Sequence, residues 1–84
     1  MNLNYDGTYV RFVHVRTGRR TMVWEVQSKS KGLRLGGVCW YGSWRKYVFL
    51  PSSNTLFEEI CLREIAGFVE MRTLEHKAAR KVAA

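Results

Sequence analysis

Several things are scarce in this chain. It has one proline, Pro51, so nothing after residue 51 interrupts a helix. It has two cysteines, Cys39 and Cys61, and no Cys-x-x-Cys spacing, which excludes the paired motifs of zinc ribbons and dithiol redox sites. Its two histidines, His14 and His76, would have to meet both cysteines from scattered positions to hold zinc. No Ser/His/Asp order, carboxylate pair or phosphate-cradling glycine loop appears, and Gly36-Gly37 lacks the third glycine and helix of a dinucleotide fingerprint. The chain therefore reads as non-enzymatic, with no metal or cofactor. No apolar run approaches the 18 residues of a membrane-spanning helix. The first residues, Met-Asn-Leu-Asn-Tyr-Asp, lack the basic and apolar regions of a signal peptide, so no export is expected.

Apolar bulk is present. A hydrophobic content of 46% supplies a core and argues against disorder. At 84 residues there is room for one small domain, with 1–6 and 82–84 expected to fray. Acids are few. Fourteen Lys and Arg face seven Asp and Glu, a formal charge of +7 that favours an anionic partner. Nine cations and two acids fall within residues 1–52, whereas residues 53–84 balance at five and five. The second half is itself polarised, acid early and base late, the order a helix macrodipole favours.

The pattern predicts an α+β fold, a four-stranded antiparallel meander on one long C-terminal helix. Thr8–Arg16 is β-branched and aromatic, giving a strand over 8–16 before a turn at Thr17–Arg20. Met22, Trp24 and Val26 alternate with Val23, Glu25 and Gln27, a half-buried strand over 21–28. After the turn at Ser28–Gly32, a third strand covers 33–41. A bulge at Gly36-Gly37 would keep Leu33, Leu35, Val38 and Trp40 on one face. A two-residue Gly42-Ser43 turn leads to a fourth strand over 44–50, ended by Pro51. Thr55 followed by Glu58 is a capping-box pattern, with Ser53 and Asn54 as competing caps, and predicts a helix over 56–81. Phe57, Cys61, Leu62, Ile65, Phe68 and Val69 form its apolar stripe. Such a helix outruns the strands, so its last turns, with Arg72, His76, Lys77, Arg80 and Lys81, overhang the sheet. Fraying, homodimerisation through the helix and contact with a partner are all open to them.

Five aromatic residues fall between Trp40 and Phe49, with Arg45 and Lys46 among them. Alternation sends Trp40, Tyr47 and Phe49 into the core, whereas Tyr41 and Trp44 flank the turn and are placed for contact. The candidate binding residues are these two aromatics with the cations of the strand ends and turns: Arg16, Arg19, Arg20, Lys29, Lys31, Arg34, Arg45 and Lys46.

The series Trp24-x-Val26, Leu35-Gly36-x-Val38-x-Trp40-Tyr41, Trp44-Arg45-x-Tyr47-x-Phe49-x-Pro51, Asn54-Thr55-x-Phe57 and Cys61-Leu62-x-x-Ile65-Ala66-x-Phe68 resembles a group of short proteins encoded by phages and prophages. The resemblance covers residues 22–81 and departs from the group's pattern at Cys39, where similar sequences tend to carry Lys. It implies a phage origin and action in the cytoplasm of a bacterial host, and it carries over no catalytic residue. Two expectations follow. The basic sheet side targets DNA, RNA or a nucleic-acid-handling host complex, or the chain inhibits a bacterial defence or host enzyme, of the anti-restriction or anti-CRISPR kind, by protein–protein contact. A minor virion component is a third reading. No membrane partner is expected.

Overall fold

The structure is a computed structural model that describes residues 3–83, with side chains described for residues 3–79. It is α+β, an antiparallel sheet packed against one C-terminal helix. The sheet has five strands in sequential order, β1 (Tyr5–Asp6), β2 (Val10–Thr17), β3 (Met22–Ser28), β4 (Arg34–Tyr41) and β5 (Lys46–Pro51), and α1 (Glu59–Ala83) follows.

Four of these strands are the expected meander. The fifth, β1, lies within the segment expected to fray. It has only two residues, too few to show a period, and distant groups hold it in place. Tyr5 pairs with Phe12 and Asp6 with Arg11, and an ion pair of 3.1 Å joins Asp6 to Arg11. The Trp24 indole N–H donates to the Leu3 carbonyl at 2.9 Å, and the His14 amide donates to Asn4 Oδ1 at 2.7 Å.

One sheet face is the core. Val10, Phe12, Trp24, Val26, Val38 and Tyr47 point to the helix and meet Ile65 and Phe68. The Phe12 and Phe68 rings stack with centroids 3.9 Å apart, and Trp24 meets Phe68 edge-on at 5.1 Å. Each such side chain removed from water contributes about 1.5–3 kcal/mol. Trp40 and Phe49 are half-buried against the same core, as alternation predicts. In β4 the extra residue of the bulge is Leu35, one place earlier than expected, since Val26 pairs with Gly36 and Gln27 with Arg34. Leu33 consequently lies outside the strand and is exposed rather than on the core face. Gly36 is required because a Cβ there would meet the Leu50 carbonyl and come within 2.7 Å of the Phe49 ring.

The helix begins at Glu59, three residues later than expected, and the capping-box reading is corrected. The Thr55 hydroxyl donates backwards to the Ser52 carbonyl at 2.8 Å. Glu58 is the cap, its carboxylate accepting the Cys61 amide at 2.6 Å while its carbonyl accepts the Leu62 amide. Further along, the buried Thr73 hydroxyl accepts the Tyr47 amide at 3.0 Å and donates to the Val69 carbonyl at 2.9 Å. It thereby satisfies an outward N–H of the edge strand β5, a group that otherwise invites pairing with another chain. Arg72 and His76, expected to overhang, pack on the sheet instead. The Arg72 guanidinium lies over the Trp24 and Phe68 rings at 4.8 and 5.0 Å and donates to the Leu3 carbonyl, while His76 is 4.2 Å from Trp40. Lys77 is exposed, and the side chains of Arg80 and Lys81 lie outside the described residues.

Candidate nucleic-acid interface

A meander puts alternate turns at opposite ends of the sheet. The β2–β3 turn and the β4–β5 turn therefore share one end, separated by two strand spacings, roughly 10 Å. In the first, the Gly18 amide donates to the Thr21 carbonyl at 2.7 Å, which leaves Arg19 and Arg20 at the tip, both exposed. The second is a four-residue loop, Gly42 to Arg45, because Tyr41 pairs with Lys46. This corrects the two-residue turn expected at Gly42-Ser43. Two successive turns, Trp44 N–H to Tyr41 O and Arg45 N–H to Gly42 O, both 3.2 Å, carry the chain round. The loop closes with Arg45 in the left-handed region at φ 55°. That move lifts Trp44 out of the strand. It is 66% exposed and sits edge-on against Tyr41 with ring centroids 4.9 Å apart.

Seven of the candidate residues thus gather at one end: Arg19 and Arg20 in one turn, Trp44 and Arg45 in the other, and Arg16, Tyr41 and Lys46 on the adjoining strand ends. Among the described residues, none of these five cations forms a side-chain hydrogen bond or ion pair. The other three candidates are elsewhere, and the structure does not bring them to this cluster. Lys29 and Lys31 occupy the β3–β4 turn, roughly 25 Å away along an eight-residue strand. Lys29 is spent on architecture, its ammonium donating to the Gly7 carbonyl at 3.1 Å. Arg34, at the same far end, pairs with Glu25 at 3.4 Å and donates to Ser52 Oγ at 3.1 Å.

The far end is also where the helix starts, and there charge is consumed internally. The Glu64 carboxylate accepts the amides of Thr8, Tyr9 and Val10 at 3.1–3.3 Å, closing the β1–β2 turn onto the helix. Gly7 leaves the room, since a Cβ at that position would collide with Glu64 Oε1. No sequence signal identifies Glu64 for this role, because its partners are backbone amides. At the cap, hydrogen bonds from the Cys61 thiol and amide hold the Glu58 carboxyl below its ordinary value. The Cys61 thiol is pushed up to about 11, chiefly by that hydrogen bond and then by burial. Cys61 is thus a protonated, half-buried packing residue, and Cys39 is free on the opposite face of the sheet.

The helix runs from the Lys29–Lys31 end toward the two basic turns, so its polarity re-sorts the charge. At the far end five cations (Arg11, Lys29, Lys31, Arg34, Arg63) face five acids (Asp6, Glu25, Glu58, Glu59, Glu64). At the turn end, among the residues whose side chains are described, seven cations (Arg16, Arg19, Arg20, Arg45, Lys46, Arg72, Lys77) face only Glu70 and Glu75. The excess belongs to one end of the molecule and is not a property of the sheet as against the helix.

Among the described residues, no helix is long and apolar enough to cross a membrane, and no group of three or more His, Cys, Asp or Glu side chains is placed to hold a metal ion. No protein-family model and no solved structure matches the chain. It is similar to the "uncharacterized 9.3 kDa protein" of Acholeplasma phage L2, with 34% identity over 70 residues, covering 82% of this chain and 90% of that protein. The match covers most of both chains, and on that basis the chain belongs to the same family of phage-encoded proteins.

Proposed function

We propose that the protein is a small non-enzymatic binder of DNA or RNA that contacts its ligand through the turn end of the sheet and acts in the cytoplasm of the phage's host. The observation that carries this reading is the convergence of five unpaired cations on the exposed Tyr41–Trp44 pair. Cations that neutralise phosphates need no internal partner, and an exposed indole offers a face on which a base stacks whatever its sequence. The helix packing favours the same end, since it balances charge at the far end and leaves the turn end positive.

The test is fluorescence anisotropy with labelled single- and double-stranded oligonucleotides of random sequence. Neutralising four or five phosphates predicts a log–log salt slope near −4, an affinity loss of about 250-fold between roughly 50 and 200 mM salt. The double substitution Arg19→Ala, Arg20→Ala should flatten the slope by about 1–2. The matched far-end pair Lys31→Ala, Arg63→Ala removes the same charge and should leave the slope nearly unchanged. Absence of binding at about 50 mM salt, or equal losses from the two pairs, refutes the assignment.

A further inference from the structure

The sheet face turned away from the helix has a chemistry of its own, different from that of the turn end. We propose that it docks a protein segment that presents aliphatic side chains flanked by carboxylates. Alternation places Val13, Val23, Cys39, Val48 and Leu50 on this face, and Val15 at the β2 bulge joins them. They run side by side, because Val23 lies beside Cys39 in register and Cys39 pairs with Val48. Val15 and Leu50 are each 57% exposed. The centre is hollow. Gly37, between Glu25 and Leu50 in register, has no side chain, and a groove of about 410 Å³ lies over it, walled by Val15, Val23, Cys39 and Leu50.

Cations stand at the margins. Arg11 and Arg34 lie at one edge, partly neutralised by Asp6 and Glu25, and Arg16 and Lys46 lie at the other with no ion pair among the described residues. Four cations against two carboxylates set the chemistry of the occupant. A second copy of this chain would bring like charge to like charge, which costs binding energy. A nucleic acid would find aliphatic side chains where stacking requires aromatic ones, since among the described residues Tyr41, at the margin, is the only aromatic that alternation turns to this face. An acidic, aliphatic segment satisfies both features, burying the band and placing its carboxylates against Arg16 and Lys46. The band covers four strands, about 15–20 Å, and two rows of side chains. Those dimensions suit a helix 10–12 Å across and roughly a dozen residues long.

The experiment is an amide NMR titration of the full chain with two synthetic peptides of about 14 residues that share one leucine stripe. One peptide flanks the stripe with Glu and the other with Lys. The Glu peptide should shift the amides of Val23, Cys39, Val48 and Leu50 and bind about tenfold or more tightly than the Lys peptide, a difference of about 1.4 kcal/mol. Leu50→Glu should weaken the Glu peptide by a similar factor while leaving the thermal midpoint unchanged, because the side chain is already mostly in water. Arg16→Glu with Lys46→Glu should reverse the preference between peptides. Equal binding of both peptides, or no shift at these amides up to about 1 mM peptide, overturns the proposal. So does concentration dependence of these amides in the free protein, which would make a second copy the occupant. An oligonucleotide that shifts Val48 and Leu50 as strongly as the Glu peptide does would place nucleic acid there instead.

Discussion

Arg45 is the residue at which stability and binding should move in opposite directions. Its backbone is left-handed, at φ 55°. For a residue with a Cβ that conformation costs roughly 1–2 kcal/mol. Glycine adopts it freely, but a glycine also gives the unfolded chain more freedom, a loss of roughly 0.5–1 kcal/mol. The difference leaves Arg45→Gly more stable by about 0.5–1 kcal/mol. In a domain of this size that raises the thermal midpoint by roughly 2–8 °C. No contact opposes the gain, because the guanidinium forms no hydrogen bond or ion pair among the described residues. For nucleic acid the same substitution removes one phosphate contact. The salt slope should fall by about 0.7–0.9, with severalfold weaker binding at low salt. Arg45→Ala is the control: it loses the same charge and keeps the left-handed backbone, so binding falls without the rise in stability. Calorimetry and anisotropy on the same preparations decide the matter. A variant Arg45→Gly with a lower midpoint refutes the account of the turn. One with unchanged affinity and salt slope refutes the role of Arg45 in binding.

Two further outcomes test the far end. Glu64→Ala should lower stability by about 2 kcal/mol, since three amides lose a charged acceptor, and a thermal midpoint within about 2 °C of the parent would contradict the closure described for that turn. At the helix cap, Glu58 titrates below its ordinary value, so the stabilisation it gives is fully present above the carboxyl value of the unfolded chain, about 4.3, and is lost as pH falls through the lower folded value. The same hydrogen bond keeps Cys61 protonated until pH nears about 11. Its alkylation should therefore remain slow at pH 8 and quicken in Glu58→Gln, and equal rates in the two proteins would show that the cap does not govern the thiol.

The regular elements were legible because their side chains repeat. The alternation through Trp24 and Val26 and the stripe through Ile65 and Phe68 each need a buried face, and burial is what the structure supplies. The same alternation sends Tyr47 inside, and the neighbouring turn leaves Tyr41 and Trp44 outside. Legibility failed where geometry depends on partners distant in sequence. Two residues of β1 have no period, and their position is set by Arg11, Trp24 and His14 through groups on or beside them. Glycine in Gly42-Ser43 pointed to a tight turn, yet the loop closes on Arg45, a residue type that gives no warning of a left-handed backbone. Thr55 has the residue type and spacing of a cap, but its hydroxyl is committed to the Ser52 carbonyl. For the candidate site, the residue types were readable and their grouping was not. Lys29 and Arg45 are equivalent in a charge count, but strand direction sends them to opposite ends.

That separation makes the molecule an oriented charge. The principal-axis extents are 42 × 27 × 19 Å, long enough for the two ends to be separated by several Debye lengths at physiological salt. An approaching polyanion therefore feels the turn end nearly alone, and the balanced far end neither attracts nor repels it. Under the proposed function, encounter would be steered onto Arg19, Arg20 and Arg45 before a base reached Trp44. The order of events has a structural consequence for the open face. Arg16 and Lys46 lie on the border between the turns and the aliphatic band, within reach of a ligand on either side. A phosphate backbone that engages these two residues removes the unpaired charge that an acidic segment would use. The two surfaces, if both are occupied, must then compete through a shared pair of side chains, although their centres do not overlap.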